Sequence, residues 1–165
     1  MADHVDLVLE QWATQRPDLD ASPMGIIGRL SRLNALFDTA IRRNFARYDL
    51  DRASFDVLAT LRRSNSEHRL TPAGLMRSSM VTSGAISQRL DRLEARGLVT
   101  RTPSETDGRG VTVTLTAEGL ELIDKVVPTH VDTEHELLDG LSAGERDQLA
   151  SLLRTLLESL GDKRD

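Results

Sequence analysis

The 165-residue chain has no cysteine. Disulfides, thiolate metal sites, cysteine nucleophiles and thiol redox sensing are therefore excluded. Aromatic residues make up only 3% of the chain, so a core has to be built from Leu, Ile, Val and Ala. No stretch approaches the ~20 uninterrupted apolar residues of a membrane span. The opening Met1-Ala2-Asp3-His4-Val5-Asp6 carries acids where a secretory signal has bases ahead of an apolar run. A cytoplasmic protein is the expectation. Enzyme signatures are missing too. His4, His68, His130 and His135 are scattered without metal-ligand spacing, and no nucleophile motif or phosphate-cradling glycine loop is present. Gly108-Arg109-Gly110 reads as a turn. No catalytic residue, metal ligand or cofactor is expected. The net charge of -5 gives nucleic-acid binding no support by itself, but the field that matters there is local.

What remains is ordinary globular material, 39% hydrophobic and 28% charged, at a length suited to one domain with arms. Val5, Val8, Leu9 and Trp12 form an apolar helical stripe between about His4 and Gln15. Arg16-Pro17-Asp18-Leu19-Asp20 breaks it. Ser22-Pro23 then reads as an N-cap with proline at the first helical position. The long helix that follows aligns Ile26, Leu30, Leu33, Phe37, Ile41 and Phe45. A shorter one from about Arg52 to Arg63 should bury Phe55, Leu58, Ala59 and Leu61. Near the C-terminus, Thr116-Ala117-Glu118-Gly119 opens a helix that Pro128 should kink or interrupt. Ser142 with Glu145 forms a capping box for a last helix with Leu149, Leu152, Leu153, Leu156, Leu157 and Leu160. That stripe is wider than a small lone domain needs, and it points to a helical partner.

The centre of the chain is the informative part. Leu70-Thr71-Pro72 caps a short helix through Met76. A turn at Met80-Val81-Thr82-Ser83 caps a second helix that ends before Gly97. The period then changes: Leu98-Val99-Thr100-Arg101 and Val111-Thr112-Val113-Thr114-Leu115 are β-branched runs joined by the polar turn from Pro103 to Gly110. Helix, turn, helix and two-stranded hairpin is the pattern of a winged helix. The fold expected is mainly α with a small β-hairpin wing. On the second helix Ile86, Leu90 and Leu93 converge inward, while Gly84, Ser87, Gln88, Asp91 and Ala95 fall opposite. Taken alone this is an ordinary solvated amphipathic helix. The adjoining hairpin turns the reading toward side chains that enter a major groove and bond base edges. Thr82 and Ser83 stand at its N-terminus, where backbone N–H groups favour phosphate. Arg109 at the hairpin tip can reach a minor groove, with Asp107 holding it in place. Bases in this region are Arg77, Arg89, Arg92, Arg96, Arg101 and Arg109, against Asp91, Glu94, Glu105 and Asp107. The surplus acid lies further on, from Asp132 to Asp162.

Leu70-Thr71-Pro72, the block from Thr82 through Val99, Asp107-Gly108-Arg109-Gly110-Val111 and Leu115-Thr116-Ala117-Glu118-Gly119 together resemble the multiple-antibiotic-resistance regulator (MarR) family, over nearly the whole chain. One departure is Gly108, where family wings often carry a second base. The resemblance implies a homodimer whose first and last helices interlock, reading a two-fold double-stranded DNA operator with two recognition helices. It divides the chain into an extra N-terminal helix (about 1–20), dimerisation helices (about 22–48 and 117–161) and a winged helix-turn-helix (about 52–115). Thr82, Ser83, Gly84, Ser87, Gln88, Arg92, Asp107 and Arg109 are the expected DNA contacts.

Trp12 in an added N-terminal helix, Arg16-Pro17-Asp18-Leu19-Asp20 with Ser22-Pro23-Met24, and the run from Phe55 to Arg63 are similar to the urate-responsive branch of that family. The resemblance assigns ligand binding to Trp12, Asp56 and Arg89, with Ser64 a weaker match. Such a trio suits a planar anion: an aromatic face, paired charge-assisted hydrogen bonds from arginine, and a carboxylate for ring N–H groups. Arg89 lies about 60° from the centre of the inward face of its helix, away from Ser87 and Gln88. Trp12 serves equally well as a dimer-interface anchor, and Asp56 as a structural ion-pair partner of Arg89. A repressor released by such a ligand is the expectation. The alternatives are a winged-helix regulator with no small-molecule ligand and a protein-interaction module on the same fold.

Overall fold

Aspartates set the helix starts in the first fifty residues. The computed structural model describes residues 2–79, 86–103 and 110–162. In α1 (His4–Gln15) the Asp3 carboxylate accepts the Val5 and Asp6 amides, and Asp6 in return accepts the Asp3 amide at 2.7 Å, completing a capping box. α2 (Ser22–Ala46) departs from expectation at its first residue. Ser22 is already helical, Ala21 holds the cap position without a side-chain bond, and Asp20 accepts the Ser22 amide at 2.9 Å. A carboxylate two residues upstream has taken the role assigned to the serine hydroxyl. Pro23 is tolerated because the first-turn N–H groups lack intrahelical partners anyway.

The chain forms two compact units, with the boundary after Arg52. Within the first, α1 lies on α2 where glycine leaves room. A Cβ on Gly28 would stand 3.3 Å from Val5 Cγ1, and one on Gly25 would stand 3.4 Å from Leu9 Cδ1. Val5 is buried and Val8 and Leu9 half-buried, while Trp12 keeps 38% of its surface exposed. The stripe of α2 divides in the same way: Ile26 and Leu33 are exposed, Ile41 and Phe45 buried. After α2 the Asp49 amide donates to Ala46 and the Leu50 amide to Phe45, a helix stop with Asp49 at φ 53°. Aspartate is among the few non-glycine residues that adopt this conformation readily.

The second unit contains α3 (Arg52–Ser64) from its second residue onward, β1 (Arg69–Leu70), α4 (Pro72–Ser78), α5 (Ile86–Ala95), β2 (Val99–Pro103), β3 (Val111–Leu115), α6 (Ala117–Leu137) and α7 (Ala143–Ser159). Mainly helical with a small sheet, it is a winged helix, with one correction to the expected two-stranded hairpin. The sheet has three antiparallel strands in the order β1-β3-β2, with Arg69 opposite Thr114 and Leu70 opposite Val113. A two-residue strand has no periodicity to detect. Its pairing is set by the turn before it, where Asn65 Oδ1 accepts the Glu67 and Arg69 amides and His68 adopts φ 52°. Pro103, expected in the turn, is instead the last residue of β2, opposite Val111. β2 is an edge strand, so a missing N–H is tolerated there. Leu58, Leu61, Leu75, Leu90, Leu93, Val113, Ile123 and Val126 form the buried centre. Val57 and Thr60, which the helical stripe did not single out, are also buried.

Pro128 does not end α6, which runs from Ala117 through Leu137. The proline is exposed and removes a single backbone donor, so the carbonyl it orphans can turn to water. α7 starts with the expected capping box, Ser142 and Glu145 each accepting the other's amide, and buries none of its residues. No described helix is long and apolar enough to cross a membrane.

Gly119 marks where α6 packs most tightly. A Cβ there would lie 2.0 Å from the Leu98 carbonyl oxygen, and no rotamer change relieves a backbone clash. Gly119→Ala is expected to cost about 3 kcal/mol, the upper end for overpacking, and to lower Tm by roughly 10 °C in thermal melts. Gly144→Ala in α7, where nothing lies within 4 Å, is the neutral or stabilising control. Equal melting of wild type and Gly119→Ala would mean that α6 does not pack this closely on Leu98.

Candidate nucleic-acid interface

Two capped helices and two strands place the candidate groups. Thr71 accepts the Gly74 amide at 3.1 Å and starts α4, and Arg63 Nη2 donates to the Ser78 carbonyl at its end, 2.7 Å away. α5 buries Leu90 and Leu93 and leaves Ser87, Gln88, Asp91, Arg92 and Ala95 exposed. It ends in a Schellman motif: Gly97, at φ 70°, donates to Glu94, and Leu98 donates to Leu93. That turn delivers the chain directly into β2. β2 and β3 then pair from Val99 opposite Leu115, next to the start of α6, to Pro103 opposite Val111 at the other end.

The expected DNA contacts divide accordingly. Ser87, Gln88 and Arg92 lie together on the exposed face of α5, and Arg92 has no ion-pair partner among the described residues. Thr82, Ser83 and Gly84 before α5, and Asp107 and Arg109 between the strands, lie outside the described residues. Of the ligand residues, Asp56 is 7% exposed on α3 and Arg89 half-buried on α5, within the second unit. Neither is without a partner. Trp12 belongs to α1 of the first unit. Ser64 donates to the Leu61 carbonyl at 2.8 Å and closes the last turn of α3. Among the described residues there is no cluster of three or more groups able to hold a metal.

Residues 48–110 match the model of the MarR family, from just after α2 to just before β3. The HTH-type transcriptional regulator PecS of Dickeya dadantii (strain 3937) is 40% identical over 157 residues, covering 95% of each chain. Among solved structures, the MarR family regulator Sco3205 of Streptomyces coelicolor, in complex with DNA, aligns with TM-score 0.78 and 26% identity over 87% of this chain and 90% of that one. BpsR of Bordetella bronchiseptica, whose DNA binding is regulated by 6-hydroxynicotinic acid, aligns with TM-score 0.71 and 25% identity over 78% and 90%. The chain belongs to the MarR family.

The residues that fix α5 against the wing strands escaped the sequence reading. The Arg101 amide donates to Glu94 Oε1 at 3.0 Å, while its Nε and Nη2 donate to Glu94 Oε2 at 2.9 and 2.6 Å. Nη2 also pairs with Asp91 at 2.7 Å. Asp91 and Arg101, expected among the charges that set the local field, thus neutralise each other and tie β2 to α5. Only the i, i+3 placement of Asp91 and Glu94 hinted at this. No spacing rule connects a helix acid to a base in the next strand.

The hydrogen bonds from Arg101 hold the Glu94 carboxyl below its ordinary value of 4.5. A depressed folded-state value means a stabilisation fully present above about pH 4.5 and lost as pH falls through the lowered value. Thermal melts of wild type and Arg101→Met should therefore differ at pH 7 and converge in acid below the usual carboxylate range. A difference that persists undiminished there would assign the effect to packing rather than to the ion pair.

Proposed function

We propose that the chain is a homodimeric, DNA-binding transcriptional repressor that inserts α5 into the major groove of a two-fold operator. The observation that carries this is the exposed row Ser87, Gln88 and Arg92 on a helix whose opposite face, Leu90 and Leu93, is core. Gln88 suits adenine edges and Ser87 suits either base of a pair, while Arg92 suits guanine or phosphate. In the same proposal Thr82 and Ser83 bind phosphate, Gly84 joins the groove-facing set with Ser87 and Gln88, and Arg109, positioned by Asp107, reaches the minor groove. The DNA complex of Sco3205 supports the docking mode. The unburied α7, with Leu152, Leu156 and Leu157 exposed and Leu160 exposed just after it, supports a second copy as partner.

The finer reading is release by a small anionic aromatic ligand, urate or a related purine, held by Trp12, Asp56 and Arg89. It is supported by the regulation of the similar BpsR by an aromatic acid and by the chemistry of the trio. Arg89 sits on α5 itself, so an anion drawing it inward favours a state with α5 out of groove register. The shift equals the difference in ligand affinity between the two states.

Fluorescence anisotropy of a labelled duplex from the gene's upstream region tests both levels. Affinity should fall steeply between 50 and 200 mM salt, as it does on the order of 10³-fold for proteins neutralising several phosphates. Arg92→Ala should reduce the salt slope by about 1. Gln88→Ala should relax sequence discrimination by roughly 1–3 kcal/mol. Binding that ignores salt would indicate a protein-interaction module instead. Urate, and not xanthine, should release the duplex, and Arg89→Ala should weaken that release more than it weakens binding. Equal loss of both would place Arg89 at the DNA.

A further inference from the structure

One cation grips α1 at its start. Arg29 of α2 donates from Nε to Asp3 Oδ2 at 2.8 Å and from Nη2 to Asp3 Oδ1 at 3.2 Å. Nη2 also donates to Asp6 Oδ1 at 2.6 Å, and Nη1 to the Gly25 carbonyl at 3.0 Å. All three guanidinium nitrogens are engaged, two on α1 and one on the helix that carries the arginine. The acceptors are not free side chains, because Asp3 and Asp6 are the two halves of the α1 capping box. The clamp therefore holds the rigid first turn of α1 rather than a flexible arm. The Asp6 carboxyl is held below its ordinary value by the bonds from the Asp3 amide and from Arg29. Val5 over Gly28 and Leu9 over Gly25 supply the apolar half of the same seat.

The pairs are partly exposed, so their contribution to global stability is small. Their geometric effect is larger. A planar fork bonded to two carboxylates of one helix turn fixes both the rotation and the axial position of that helix. Trp12 lies nine residues beyond Asp3 on the same helix, about 13 Å along its axis, and is the chain's sole tryptophan.

We infer that Arg29 is a positioning residue for ligand response, setting through α1 where the Trp12 ring stands. This rests on the reading that Trp12 contacts the aromatic ligand. Arg29 acts through the helix and not on the ligand. If loss of the clamp leaves α1 seated about one-third of the time, apparent ligand affinity falls by the same fraction, about threefold.

The test uses the full-length protein with urate as probe, calorimetry for urate affinity, Trp12 fluorescence anisotropy for docking of α1, and duplex affinity without urate. Arg29→Ala is expected to raise the urate dissociation constant about threefold and lower Trp12 anisotropy, with duplex affinity unchanged. Arg29→Lys, which keeps charge without the fork, should recover part of both. The double variant Asp3→Asn/Asp6→Asn reaches the same clamp from the other side, because asparagine still caps but lacks the charge. It should reproduce the Arg29→Ala effect. An unchanged urate constant in Arg29→Ala, beside a wild type that binds urate, overturns the inference alone. Parallel loss of duplex affinity overturns it as well, since the residue would then be merely structural. A wild type that does not bind urate overturns the underlying ligand reading and the inference with it.

Discussion

Four elements of the second unit meet at the backbone of two residues. Gly97 ends α5, and Leu98 leads into β2. Thr116, which follows β3, donates its amide to the Leu98 carbonyl at 3.2 Å and its hydroxyl to the Gly97 carbonyl at 2.6 Å. The same hydroxyl accepts the Gly119 amide at 2.9 Å and so caps α6. Gly119 approaches Leu98 closely enough that no side chain fits between them. Each orphaned group at one element's end is thereby satisfied by the start of the next, as buried backbone requires. The aim of the exposed α5 row relative to the wing strands follows from this junction. Arg101, bonded to Glu94 and Asp91 on the other side of the turn, fixes the remaining freedom.

Arginine performs two separate jobs in this acidic chain. Arg29, Arg62, Arg63 and Arg101 join elements that are apart in sequence: α2 to the first turn of α1, α3 to Asp124 of α6, α3 to the end of α4, and β2 to α5. Arg92 stays exposed with no ion-pair partner among the described residues. The net charge of -5 averages over both groups and over the acids of α6 and α7, and so describes neither. A DNA-directed field depends on charges left uncompensated at one face. The structural arginines remove themselves from that count.

Apolar surface is distributed just as unevenly. The second unit closes a well-filled centre around Leu58, Leu61, Leu75, Leu93 and Ile123, each with essentially no exposed area. The terminal helices do the opposite. Ile26, Ile27 and Leu36 of α2 and Leu152 of α7 each expose more than half their surface, and α7 buries nothing. Exposure on that scale is characteristic of a surface that meets a partner. The proposed dimer supplies one.

Much was legible in the linear pattern because it depends on neighbours in sequence. The 3.6-residue stripes located all the long helices, and the capping boxes or hydroxyl caps at Thr71, Thr116 and Ser142 set their starts. The inward set Ile86, Leu90 and Leu93 left Ser87 and Gln88 outside as expected. The change of period after Gly97 disclosed the winged helix, because helical and strand patterning are both local. The sequence did not disclose β1, whose two residues pair with partners more than forty positions away. It also hid the Asp20 cap, which displaced Ser22, the passage of α6 through Pro128, and the Arg29 and Arg101 clamps. β1 and the two clamps turn on which distant group reaches a carboxylate or a strand edge, while the Asp20 cap and the passage through Pro128 turn on which competing local group finds a partner or water. Periodicity and capping are local properties of the chain, whereas ion-pair choice and strand pairing depend on three-dimensional proximity, which only the tertiary structure decides.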